Sequence, residues 1–211
     1  MTTAATQERR RFADLLDEIG PDAPTLCGDW TTRDLAAHIV IRDRRPDAMP
    51  GILSSKFAGY TDKVQAQLTK SDEYSEIVTK VREGAPFWSP TRIDAVDRTT
   101  NTAEFFVHLE DIRRAQPKWK PRELDVELTK DLYAVLKRGA KMMARKAPAG
   151  ITLAPTGHAS LVANDQEPMV VVSGPVGELV LWLYGRQAHS QVSYDGPADA
   201  VEALRTASFG I

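Results

Sequence analysis

A chain of 211 residues, 42% apolar and 27% charged with formal net charge −2, can bury one good core or two modest ones, and it carries no basic field for nucleic acid. Its one cysteine, Cys27, excludes an internal disulfide and a cysteine-built zinc framework. No apolar run approaches the roughly 18 residues of a membrane span, and the start lacks the apolar core of a secretory signal. The expectation is a cytoplasmic protein, monomer or homodimer, with no nucleic-acid or membrane partner.

The elements follow in chain order. Gln7 to Ile19 predicts an amphipathic helix with Phe12, Leu15, Leu16 and Ile19 on one side, stopped by Gly20-Pro21. After the turn-rich segment Pro24 to Trp30, Thr31 has the character of an N-cap and Asp34 sits at the capping-box position, opening a helix that carries His38. Pro46 to Gly51 breaks it. Ile52 to about Leu68 predicts another helix, and Ser71 is a candidate cap for a shorter one running to Gly84. Pro86 to Pro90 reads as a loop. A helix follows from about Asn101 to Ala115, ended by Pro117 and Pro121, and a last long one runs from about Thr129 to Lys146. Four long helical segments predict an antiparallel four-helix bundle over residues 1–147. Beyond Gly150 the texture changes. Strands are expected at 151–154, 159–163, 168–173 and 191–194, with helices at 176–184 and 198–207. Residues 148–211 therefore form a small α+β domain, and the fold class is α+β.

The chemistry gathers on two of these helices. Glu104, His108 and Asp111 lie along one line of their helix, beside an apolar line of Phe105, Phe106, Leu109 and Ile112. Side chains at i and i+4 have Cβ atoms about 5–6 Å apart, close enough for Glu104 and His108 to share a metal ion. His38 is the candidate third ligand, which would complete an open, three-ligand site of the catalytic type. Taken singly, His38 is more often a satisfied structural histidine than a ligand, and a Glu-x-x-x-His pair an ordinary surface contact. Asp111, a candidate catalytic residue, could orient a ligating imidazole, accept a proton or contact a thiol; a salt bridge to Arg113 or Arg114 is the plainer role. Glu110 is expected in solvent. Cys27 and Trp30 read as packing residues at the helix entry. Arg186, the second candidate catalytic residue, could clamp a substrate carboxylate or cap a helix C-terminus. His158 and His189 read as surface residues, and the basic run from Lys137 to Lys146 as a solvated helix face.

Together these residues resemble the DinB-like superfamily, in its mycothiol-dependent maleylpyruvate isomerase branch. The signature Cys-x-x-Trp-(Ser/Thr)-x-x-(Asp/Glu)-Leu-x-x-His is met by Cys27-Gly-Asp-Trp30-Thr-Thr-Arg-Asp34-Leu-Ala-Ala-His38, and Glu-x-x-x-His-x-x-Asp by Glu104, His108 and Asp111. The segment Gly174 to Arg186 is similar to the group's second domain. The resemblance implies a DinB-like bundle and a divalent metal, zinc, held by His38, Glu104 and His108. It also implies mycothiol or a similar thiol as cosubstrate, with S-transfer to a small electrophile or its isomerisation as the activity. Two other readings remain open: a metal-binding protein without turnover and a metal-assisted hydrolase. Where the family usually has proline after the cysteine, this chain has Gly28.

Overall fold

The computed structural model of the chain describes residues 3–45, 47, 58–89, 97–98 and 100–207. Most of the helix break expected at 46–51, the first part of the helix expected from Ile52, and Pro90 lie outside them. The class is α+β: helices and a four-stranded sheet fall into two compact units, Met1–Trp119 and Lys120–Ile211.

The first unit is helical. Its described helices are α1 (Ala4–Ile19), α2 (Thr32–Arg44), α3 (Ala58–Ser71), α4 (Tyr74–Glu83) and α5 (Thr102–Ala115). α1 packs on α4 and α5, and α2 packs on α3 and α4. Phe12 and Leu16 of α1, Leu35 and Ile39 of α2, Ile77 and Val81 of α4, and Phe105, Leu109 and Ile112 of α5 close one core. The start of α2 is set locally, because Thr31 and Asp34 form the reciprocal capping box. At Gly20, φ is +81, and its N–H caps the Leu16 carbonyl at the end of α1. The boundary between α3 and α4 differs from expectation. Ser71 is the last residue of α3 and bonds Asp72, while Glu73 precedes α4 without a side-chain cap. Arg33 Nη1 donates to the Thr69 and Asp72 carbonyls there, so a partner from α2 satisfies backbone at this turn.

The second unit contains α6 (Val126–Met143), β1 (Gly150–Pro155), β2 (Leu161–Asn164), β3 (Met169–Gly174), α7 (Val176–Leu183), β4 (Ser193–Asp195) and α8 (Ala198–Thr206). The strand order is β2-β1-β3-β4, with β1 and β3 parallel and the other pairs antiparallel. β1 and β3 turn Ile151, Leu153, Val170 and Val172 inward. α7 is apolar on nearly all sides and buried throughout, with Trp182 Nε1 donating to the Tyr194 hydroxyl at 2.8 Å. A domain of about 60 residues buries little surface alone. α6, expected with the bundle, packs on β2 and α7 and so enlarges this core. Its Lys137, Arg138 and Lys141, and Arg145 and Lys146 in the 3-10 turn that follows, face solvent as expected.

Gly150 starts β1 where no side chain fits, since a Cβ there would stand 1.9 Å from the Gln166 carbonyl oxygen. Gly150→Ala is therefore expected to cost about 1–3 kcal/mol through displacement of backbone, read as a lower urea midpoint. An unchanged midpoint would show that the 164–168 turn yields freely.

Candidate metal centre

Residues from α2 and α5 meet at one carboxylate oxygen. His38 Nε2 lies 3.3 Å and His108 Nε2 3.4 Å from Glu104 Oε1. The two imidazoles stand edge to face with centroids 5.4 Å apart. One donor atom from each of the three residues lies within 4.8 Å of the others. Their side chains are 12%, 14% and 22% exposed for His38, His108 and Glu104, so the cluster is largely dry but reachable from solvent. Two imidazole nitrogens and one carboxylate oxygen form a donor set suited to zinc, and three protein ligands leave a fourth position for a small molecule.

The electrostatics of the cluster without a cation follow from its geometry. Burial pushes the Glu104 carboxyl up, but hydrogen bonds from His108 and His38 outweigh it and hold the group well below the usual carboxylate range. Burial likewise pushes His108 down, yet its bonds to Asp111, Cys27 and Glu104 hold it well above an ordinary imidazole. His38 goes the other way, lowered chiefly by burial and further by the charge of His108. The cluster thus holds a carboxylate, an imidazolium and a neutral imidazole, and a divalent cation would take the place of the His108 proton.

A ring of contacts fixes these groups. Glu104 is in the first turn of α5, where the helix dipole favours negative charge. Arg42, one turn beyond His38 on α2, brings Nε to 3.2 Å from the same Glu104 oxygen. Its other nitrogens reach Asn101 Oδ1 and the Thr100 carbonyl, and Asn101 is held by Asp97. The Trp30 ring lies 5.3 Å from that of His38. On the far side of His108, Nδ1 is 3.0 Å from Asp111 Oδ2, and the Asp111 side chain is fully buried. Cys27 Sγ donates to that same oxygen at 3.1 Å.

Glu104, His108 and Asp111 lie along α5 as their spacing predicted, and His38 of α2, the candidate third donor, meets Glu104. Asp111 faces His108, and Arg113 and Arg114 both pair with Glu110. The expectation that Glu110 is solvated is overturned: it is 1% exposed, because the face of α5 opposite the cluster is covered too. Arg186 belongs to the second unit, where Nη1 donates to the Tyr184 carbonyl at 2.5 Å, the helix-end contact open to it in the sequence. His158 is exposed and stacks on Tyr133. Two contributors were not anticipated. Arg42 had a readable signal in its i+4 spacing from His38. Cys27, read as packing, does pack on the core and also joins the polar network. Gly28 has φ +63, which proline cannot adopt, so its departure from the family pattern matches the backbone of this loop.

Arg42→Gln is expected to free Glu104 and weaken divalent-metal affinity about 10–100-fold, the usual cost of losing a partner that orients a ligand. Arg42→Lys should recover only part, because an ammonium cannot span the three acceptors as a planar fork does. Competition with a chromophoric chelator measures both. Equal affinity in all three proteins would remove Arg42 from the site.

The family model described as the mycothiol maleylpyruvate isomerase N-terminal domain matches residues 2–149. A crystal structure of the mycothiol-dependent maleylpyruvate isomerase superposes with a TM-score of 0.58 at 14% identity, covering 91% of this chain and 90% of that one. A histidine-to-alanine mutant of that isomerase gives 0.60 with the same identity and coverage. At such identity the likeness is one of fold. No curated protein matches the chain. Among the described residues, no helix is long and apolar enough to cross a membrane.

Proposed function

The chain belongs to the mycothiol maleylpyruvate isomerase N-terminal domain family, and from that premise we propose that it is a thiol-dependent isomerase of a small conjugated electrophile of the maleylpyruvate kind. Its cosubstrate is mycothiol or a similar low-molecular-weight thiol, and its cofactor is a divalent cation, zinc, held by His38, Glu104 and His108. The observation that carries the reading is the convergence of these three donors, each partly exposed, in a mostly buried cluster. The same proposal takes the helices of the first unit as a DinB-like bundle that presents α2 and α5 to one centre.

A bound divalent cation would supply thiolate near neutral pH by lowering the pKa of a thiol that is otherwise about 8.5. Sulfur then forms a bond to one carbon of the cis double bond, and the π pair moves onto the conjugated carbonyl. The former double bond, now single, rotates. The electron pair returns, the C–S bond breaks, and thiolate leaves with the trans product, so neither proton nor thiol is consumed.

The chain's own residues prepare this chemistry. Asp111 accepts from His108 Nδ1–H, which sets the tautomer and leaves the Nε2 lone pair for the cation. Arg42 holds Glu104 by one oxygen. Cys27 lies on the Nδ1 side of His108, across the ring from the three donors, so it is not the attacking sulfur.

The test is a cis-to-trans isomerisation assay on maleylpyruvate with chelator-treated and zinc-reloaded protein, with and without mycothiol. Turnover is expected only when zinc and thiol are both present. Turnover that ignores the thiol, or none with both supplied, would overturn the reading.

A further inference from the structure

A second group of ligand-type atoms lies behind His108. Cys27 Sγ, His108 Nδ1 and Asp111 Oδ2 are 3.1, 3.0 and 3.9 Å apart, for the pairs sulfur–oxygen, nitrogen–oxygen and sulfur–nitrogen. Around a tetrahedral ion with bonds of about 2.0–2.3 Å, neighbouring ligands stand about 3.3–3.7 Å apart, so the triangle already has nearly the required size. The atoms come from different parts of the chain, and both parts are anchored. Asp111 and His108 sit at i+3 on α5, and the Asp111 side chain has no exposure. The cysteine loop is tied to the same helix turn, where Leu26 N–H donates to the Asp111 carbonyl at 3.1 Å. Within the loop, Cys27 N–H donates to Thr25 Oγ1, whose hydroxyl in turn donates to the Trp30 carbonyl. Little ordering remains to be done on binding.

We propose that Cys27, Asp111 and His108 Nδ1 form a site for a thiophilic divalent cation, separate from the His38–Glu104–His108 Nε2 site and in competition with it. The donor set differs in kind: the sulfur selects soft cations, whereas nitrogen and oxygen donors alone discriminate less. Thiolate and carboxylate together carry two negative charges, which neutralise the ion. Binding replaces the thiol proton, and the proton on His108 Nδ1 also leaves to solvent. A neutral imidazole offers one lone pair, so His108 serves one site or the other. A soft cation would therefore withdraw the ring from the first centre and break the Asp111 contact that sets its tautomer. This site does not depend on the proposed isomerase activity.

Cadmium titration of metal-free protein under reducing conditions tests it through the sulfur-to-cadmium charge-transfer absorption in the ultraviolet. Wild type is expected to develop the band up to one equivalent. His38→Ala should keep it, and Cys27→Ser should lose it. Asp111→Asn should weaken binding at least tenfold. Absence of the band in wild type would overturn the site. So would an unchanged affinity in Asp111→Asn, which would reduce it to a thiol binding alone, or loss of the band in a folded His38→Ala, which would move the sulfur to the first centre. Should Asp111→Asn not fold, X-ray absorption of cadmium-loaded wild type decides the same point: one sulfur with an imidazole neighbour supports the site, and sulfur with water oxygens alone removes it. A protein that binds cadmium in this way yet fails the isomerase assay would lose the functional reading and keep the site.

Discussion

His38→Ala and His108→Ala are each expected to be purified nearly free of divalent metal, where wild type prepared without chelator carries close to one equivalent. Each substitution removes one of three donors, so affinity should fall by more than the roughly 100-fold that loss of an orienting partner costs. Isomerase activity should fall with it. The paired variants matter because the residues lie on different helices, α2 and α5. Metal lost from both places one ion between them; metal kept by His108→Ala, which takes the shared ring from both donor sets, would show that the cluster is a hydrogen-bonded pair of histidines about a carboxylate. Elemental mass spectrometry reads the result, with circular dichroism to show that each variant is folded.

The pH dependence of metal uptake has a definite sign. Without metal, His108 is held protonated well above its ordinary range. That raised pKa stabilises the metal-free fold fully below the unfolded value, near 6.5, and the contribution is lost as pH rises through the folded pKa. The cation competes with the same proton, so its affinity runs the opposite way and strengthens as pH rises. The melting-temperature gap between zinc-loaded and metal-free protein should widen with pH across this window. A gap that narrows would exclude His108 as a ligand.

The second large effect lies on the other face of α5. Glu110 and Arg114 are both 1% exposed in their side chains, with Arg114 Nε 2.7 Å from one carboxylate oxygen and Arg113 Nη1 2.6 Å from the other. Arg114 also covers the Trp119 ring at 4.6 Å. Replacing Glu110 by Gln takes away the buried carboxylate that both guanidiniums grip, at a cost of about 3–5 kcal/mol. Replacing both residues by apolar side chains of similar volume should return much of that loss, since the pair itself gains little net energy once desolvation is counted. Urea unfolding of the single and double variants decides. A single variant within about 0.5 kcal/mol of wild type, the range of ordinary surface substitutions, would mean that the pair is hydrated in solution.

Much of the site was legible because it rests on short-range geometry. Thr31 and Asp34 mark the start of α2 three residues apart, and the i, i+4 spacing of Glu104 and His108 needs only a helix to bring them together. The signature of the cysteine loop and helix extended that reading to His38. Three readings failed or fell short for reasons that no local pattern holds. Glu110 looked solvated because helical periodicity says which residues share a face, and not how many faces the neighbouring helices cover. Ser71 resembled a cap, but the turn after it is closed by Arg33 from another helix. Cys27 looked like packing because its polar partner is 84 residues away.

The amino-acid sequence by itself determined the class of the fold, the order of its helices and strands, and the residue types able to hold a cation. These depend on periodicity, capping and side-chain chemistry within a few residues. Tertiary structure alone decided that Arg42 grips Glu104, that Asp111 accepts from both His108 and Cys27, and that α6 packs with the sheet. Each of these follows from which surfaces are buried against one another. A buried polar group takes whatever partner packing brings within hydrogen-bonding distance, because leaving it unpaired away from water costs more than any local preference.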